Sequence, residues 1–217
     1  MSKNVLNKIG FKRLDEFKQF VLGALLVGTG FTVVLLGFDN PFELLSYEFL
    51  FYIIPVTSLT GFSLFVKSFF QKTMARHTEA FMEFKLWLPG GIIGVFTSLL
   101  GVVAALAGGV RFYTDYYERY GMWKVDLNPQ QLGMLSLVGV STYLLLAIFF
   151  AMLSPIGLTL SGQNVFMFGG LINSYLALFS LLPVQPLDGK HVARDNMFTW
   201  GMMVVFSLVA VIFFQVV

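Results

Sequence analysis

GGIIGVFTSLLGVVAALAGGV, residues 90 to 110, is apolar and long enough to cross a bilayer, yet it carries glycine at 90, 91, 94, 101, 108 and 109. A hydrocarbon core about 30 Å thick takes about 20 apolar residues as helix, and each glycine weakens a helix by about 1 kcal/mol relative to alanine. The segment therefore reads as a broken, re-entrant pair of half-helices turning near Gly101. Such backbone is tolerated at membrane depth only where protein or a cavity surrounds it, so the segment is expected inside a bundle. The alternative is an ordinary sixth span that uses Gly90 and Gly94 as a helix contact.

The rest of the chain poses the same question of topology. Of its 217 residues, 57% are hydrophobic and 12% charged, against about 25% charged in a soluble domain. One water-soluble core cannot hide that much apolar surface, so the fold class is an all-α, polytopic membrane protein, residues 1–217 forming a single membrane domain. Runs at 20–38, 49–70, 132–153, 165–182 and 197–217 read as spans. Residues 1–19 read as an amphipathic juxtamembrane helix, or else as a basic tail, and are too charged for the apolar core of a signal peptide.

Charge tests the glycine-rich segment. If residues 90–110 cross, Lys and Arg divide nine against five between the two faces; if the segment returns, all 14 lie on one face. The positive-inside rule prefers the second arrangement. It sets the N-terminus and the stretch LLPVQPLDGKHV (181–192) on the cytoplasmic side of a cell membrane and the C-terminus on the opposite side. The basic residues lie beside apolar runs and form no single patch, so the expected partners are the lipid bilayer and another membrane protein, not nucleic acid. The absence of cysteine removes disulfides, thiolate metal sites and cysteine nucleophiles together.

Residues 81–88, FMEFKLWL, alternate like a short strand. Its edge could pair with an extended peptide; the plainer reading is an interfacial aromatic belt.

Three stretches resemble one family. NSYLALFSLLPVQPLDG (173–189) is similar to the N-x5-F-N-L-L-P-x-x-P-L-D-G signature of the site-2 protease family of intramembrane zinc metalloproteases, and the KHVARDN that follows resembles its archaeal members. EFKLW (83–87), with Pro89 and Gly90 after it, is similar to the strand that follows the family's catalytic helix. GMLSLVGVSTY (133–143) resembles its G-x-I-S-L-A-G-P-x-x-N helix, with Val140 and Tyr143 in place of proline and asparagine. The resemblance covers roughly residues 49 to 196 and implies a helical bundle of the site-2 protease type, with a short strand and a re-entrant hairpin near the cytoplasmic face.

In that family zinc is held by both histidines of H-E-x-x-H and by the aspartate of L-D-G, with the glutamate as general base; residues i and i+4 share a helix face and can grip one ion. This chain has no H-E-x-x-H. Counting back from the strand places the motif near Val66–Phe70, VKSFF, give or take a residue or two. Valine and phenylalanine cannot ligate zinc, and a lysine there brings positive charge to the metal's place. Ser180 and Tyr143, where the family has asparagine, erode the polar surroundings further.

Asp188 matches the third ligand, but its first expectation is as the N-cap of a short helix begun by Gly189. A second is an ion pair with Lys67, an ammonium standing where the metal's charge stood; otherwise Lys67 snorkels to the interface. His191, one turn on, and His77 read as interfacial histidines. Asn173, inside a span, is expected to face the bundle.

These residues add up to a catalytically inactive relative without a cofactor, a membrane scaffold, adaptor or regulator that binds a partner's membrane segment in a cleft holding Asn173, Glu83, Trp87 and Lys67. The alternative is an unorthodox zinc protease using His77, Asp188 and His191, with Glu79 or Glu83 as base. A small transporter or channel subunit has less support, because no internal repeat or paired intramembrane charges stand out.

Overall fold

A computed structural model describes residues 14–36, 47–78, 80–106, 108–114, 127–160 and 163–216. The expected amphipathic segment at 1–13, Glu79, and the basic residues Arg119 and Lys124 lie outside them. The described elements are α1 (Leu14–Leu36), α2 (Tyr47–His77), β1 (Ala80–Leu86), α3 (Leu88–Ser98), β2 (Gly108–Thr114), α4 (Pro129–Leu153), β3 (Thr159–Leu160), β4 (Gln163–Asn164), α5 (Val165–Ser180), α6 (Gly189–Asp195) and α7 (Met197–Val216).

Among the described residues four helices, α1, α2, α4 and α7, are long and apolar enough to cross a membrane. The protein is an all-α membrane protein with two small antiparallel sheets. Residues 14–19, expected to lie apart on the surface, instead form the first turns of the same helix as residues 20–36. α5 has 16 residues, about 24 Å at 1.5 Å each, shorter than its expected run. It starts where the Asn164 side chain accepts from Phe166 N and Met167 N. It ends at Ser180 because the following turn must carry Asp188 back into the bundle.

The glycine-rich segment goes out and comes back. α3 stops after 11 residues; Leu100 N and Val102 N donate to Thr97 O, Gly101 N donates to Ser98 O, and Gly101 turns the chain at φ +78°. The return leg is not the second half-helix expected from sequence. It is extended, and a Cβ on Gly94 would overlap the Ala104 carbonyl, so helix and return leg touch backbone to side-chain face. β2 then pairs antiparallel with β1, Leu86 opposite Gly108 through Ala80 opposite Thr114. Paired residues lie about 5 Å apart, whereas a complete crossing would part the two ends by about 30 Å. Pairing along the whole ladder therefore requires the chain to return to the level it left. The strand expected at 81–88 is β1; its partner β2, rich in glycine at its start, showed no alternation to announce it.

The core runs through α1, α2, β1, α4 and α5, with Phe20, Phe31, Leu64, Phe84, Tyr143 and Ile172 all buried. Close approach depends on small residues: a Cβ on Gly28 of α1 would overlap Thr57 Oγ1 of α2. α7 is largely exposed. It is tied at its start by Trp200 Nε1, which donates to Leu181 O at 2.7 Å, and further along by Phe214 against Gly170.

With no native cysteine, site-directed labelling reads this path directly. His77→Cys, at the exposed end of α2, and Arg111→Cys, exposed on β2, are expected to react with a membrane-impermeant thiol reagent from the same side. Reaction from opposite sides would mean that residues 87–107 cross.

Candidate functional site

α2 presents Lys67 and Gln71, four residues apart and so on one face, toward α4. Both are buried. They fit because Gly139 of α4 has no side chain: a Cβ there would overlap Gln71 Nε2 and lie 2.8 Å from Lys67 Cε. Gln71 Nε2 donates to Leu135 O at 3.2 Å, and one turn beyond Gly139 the Tyr143 ring centroid stands 5.1 Å from Lys67 Nζ.

The turn between α5 and α6 supplies the counter-charge. Leu182 N donates to Phe179 O and Leu187 N to Val184 O, the Gln185–Pro186 peptide is cis, and Gly189 sits so close to the Leu181 carbonyl that a Cβ would overlap it. Gly109 of β2 lies equally close to the Pro186 carbonyl, so the sheet covers the turn. Asp188 Oδ2 is thereby held 2.6 Å from Lys67 Nζ, the side chains 1% and 7% exposed respectively.

At that depth each charge alone would carry a desolvation penalty of several kcal/mol, which the pair offsets by mutual attraction. The ring of Tyr143 adds its negative face to the same ammonium. Apart from this ion pair, neither Asp188 carboxylate oxygen has a hydrogen-bond partner among the described residues.

The cap expected of Asp188 is not formed. Its residue is already helical (φ −63°, ψ −34°) and its side chain makes no capping bond; only its backbone oxygen serves the helix start, accepting from His191 N and Val192 N. Charge wins over capping because Asp188 is buried with Lys67 within reach. For the same reason Lys67 does not snorkel outward. Lys67, inside the counted-back stretch 66–70, is the residue of α2 that meets Asp188.

The two histidines stay apart. His77 is exposed at the end of α2, ten residues past Lys67, and so about 15 Å farther along the helix axis. The uninterrupted run of α2 through residue 77 is what carries it away. Among the described residues no group of three or more His, Asp or Glu could hold a metal ion, so His77, Asp188 and His191 do not form the alternative ligand set. His191 is half-buried, its ring edge-on to Phe112 at 6.4 Å between centroids. Burial pulls its pKa below the usual histidine range; the Asp188 carboxylate opposes this shift, and Lys190 and Arg194 add to it.

The expected cleft residues also separate. Asn173 is fully buried, its Nδ2 donating to Gly169 O at 2.8 Å, and Lys67 is sealed in its ion pair. Glu83 and Trp87, at the β1 end of the molecule, are half-buried. In this conformation a partner could touch only the latter two. Sequence reasoning missed Gln71, for which the i+4 spacing from Lys67 was the available signal; Tyr143, read there as a replaced asparagine of the polar surroundings, stands beside the Lys67 ammonium.

A relative from Methanocaldococcus jannaschii called "Putative zinc metalloprotease MJ0611" is 30% identical over 176 residues, which span 79% of this chain and 85% of the relative. No family model matches the chain. No solved structure matches it either.

Two outcomes test the site. Lys67→Met or Asp188→Leu alone, leaving one buried charge, should each destabilise the protein by about 3–5 kcal/mol, while the double variant should be more stable than either single one, as read from thermal unfolding in detergent. His191 tests the acid side. Its neutral form is the one the fold favours, so its contribution is complete above about pH 6.5 and is lost as the pH falls through the depressed folded value. The unfolding temperature should drop on acidification from pH 7 to 5, and by less in His191→Gln.

Proposed function

Because this chain belongs to the family of that metalloprotease of M. jannaschii, we propose that it is a site-2 protease relative whose zinc centre has been replaced by the Lys67–Asp188 ion pair. It works without proteolysis, as a scaffold, adaptor or regulator that engages a membrane segment of a partner protein.

The ion pair is the observation that carries this reading. Asp188 matches the aspartate of the family's L-D-G signature; Lys67 pairs with it, and Gln71 follows Lys67 at the i, i+4 spacing of the two histidines, with Ser68 at the place of the glutamate. These residues do not fit zinc. An ammonium repels a dication, the Gln71 amide is a neutral oxygen donor where the family has an imidazole, and a serine hydroxyl is no general base near neutral pH. A catalytic zinc needs three protein ligands and an open position for water; here the cation's place beside the aspartate is taken by the Lys67 ammonium. The arrangement keeps the electrostatics that hold α2, α4 and the α5–α6 turn together and lacks the groups that would activate water.

The reading also carries a topology. α1, α2, α4, α5 and α7 cross the cell membrane, residues 87–107 return to the side they left, and the basic face with the N-terminus is cytoplasmic, the C-terminus opposite. The partner approaches the β1 end, where Glu83 and Trp87 are accessible.

Metal analysis after extensive chelator washing tests the lost chemistry. The native chain is expected to retain far less than one zinc per molecule, whereas the triple variant Lys67→His, Ser68→Glu, Gln71→His, which restores three ligands with Asp188, should retain about one. About one zinc in the native chain, lost on His77→Ala or His191→Ala, would overturn the reading in favour of the zinc protease alternative.

A further inference from the structure

α1, α2 and α5 meet closely through glycine. Gly28 of α1 admits Thr57 of α2, and a Cβ on Gly169 of α5 would stand 3.1 Å from Phe150 Cδ1 and 3.3 Å from Leu59 Cδ2. Beside these contacts the three helices leave a cavity of about 400 Å³. One wall is a stripe of α2, Pro55, Ser58, Leu59 and Phe62, spaced three and four residues apart and so on a single helix face. Leu35, near the end of α1, and Val165 and Phe168, in the first turn of α5, form the others.

These walls are held in place. Phe168 meets the buried Phe31 edge-on at 6.4 Å between centroids. Val165 N donates to Leu158 O at 2.8 Å, and Asn164 Oδ1 accepts from Phe166 N at 2.9 Å. The space is therefore built into the packing and is not closed by a side chain swinging across it.

Its depth says what surrounds it. Ser58 stands eleven residues after Tyr47 and nineteen before His77, the ends of α2, or about 17 Å and 29 Å along the axis. α2 is long and apolar enough to cross a membrane, so the stripe lies within the hydrocarbon layer whichever end faces the cytoplasm. Pro55, Ser58 and Phe62 are exposed, and the cavity opens sideways through them to the bilayer.

The chemistry and width of the cavity select the occupant. Water needs two to four polar partners; among the described residues that line the cavity Ser58 alone is polar, and its hydroxyl already donates to Ile54 O at 2.7 Å. An empty void is no better, since an apolar cavity of about 150 Å³ already takes up benzene. From Pro55 to Phe62 the stripe rises about 10.5 Å. A volume of 400 Å³ over that length is about 7 Å across, too narrow for a helix of 10–12 Å. It is wide enough for hydrocarbon chains, whose carbons pack about 4 Å apart.

We propose that the cavity is a lipid site, which takes the hydrocarbon of one bilayer phospholipid and thereby completes the packing among α1, α2 and α5. The inference stands independently of the lost metal centre and of partner binding, and concerns a different part of the molecule.

The test reconstitutes the full-length chain in phosphatidylcholine vesicles containing a phosphatidylcholine with a light-activated diazirine on one acyl chain. Labelled residues are mapped by peptide mass spectrometry. Phe62 and Phe168 should take up at least fivefold more label than Val205 and Val209 of α7, which are 58% and 59% exposed and meet annular lipid. Ser58→Trp, which fills the cavity from the bilayer side, should cut the label at Phe168 at least fivefold. Val165→Phe fills it from the opposite wall and should do the same should the first variant not fold. In detergent, added phosphatidylcholine should raise the unfolding temperature of the native chain more than that of either filled variant. Label as high on Val205 and Val209 as on Phe62 and Phe168 means annular lipid only and overturns the site, as does label at Phe168 that survives both fillings. Labelling by a diazirine-bearing free fatty acid but not by the phospholipid overturns the phospholipid as occupant. Loss of the phospholipid label on adding a transmembrane peptide of leucine and alanine overturns it in favour of a helix.

Discussion

A lysine and an aspartate meet at 2.6 Å in the interior of a membrane bundle, and much of the molecule is arranged so that they can. Lys67 is on a helix, Asp188 on a turn 121 positions later, and neither could be buried without the other. A turn that leaves α5 early, a glycine on α4 that admits the lysine stem, and a tyrosine ring beneath the ammonium all serve the same contact. Replacing any one charge alone would leave the other in a place where water cannot reach it, which is why this pair acts as a constraint on the fold and not as a surface ornament.

Glycine is the second recurring element, and its roles differ. Gly139 makes room for Lys67 and Gln71; Gly109 lets β2 lie on the Pro186 carbonyl; Gly189 lets α6 start against the Leu181 carbonyl. These three approaches converge on the turn that carries Asp188. Gly101 alone among them is used for its backbone, at φ +78°.

How much of this was legible beforehand varied with the kind of signal. Length and composition pointed to a membrane bundle, because too much apolar surface cannot be hidden in water. The re-entrant reading of residues 90–110 came from the burden of glycines in one segment and from where Lys and Arg would fall. The strand on the return leg did not, since Gly108, Gly109 and Val110 show no alternation and form a strand only because β1 lies alongside. The N-cap expected of Asp188 was a sound local inference that lost to a distant partner. The metal set of His77, Asp188 and His191 assumed that one predicted face means one place; the length of α2 separates residues by helical rise, which topology alone does not count.

The sequence by itself determined the class of molecule, the absence of H-E-x-x-H and the survival of the aspartate turn, because these depend on composition and on residues adjacent in the chain. Only the tertiary structure decided what Asp188 binds, which residue of α2 meets it, and that Glu16 and Gln19 accept from the N–H groups of Phe84 and Leu86. Each of those is a contact between segments tens of residues apart, and desolvation sets its outcome: a buried charge or N–H takes whichever partner the packing brings within 3 Å or so, and a linear pattern does not say which one that will be.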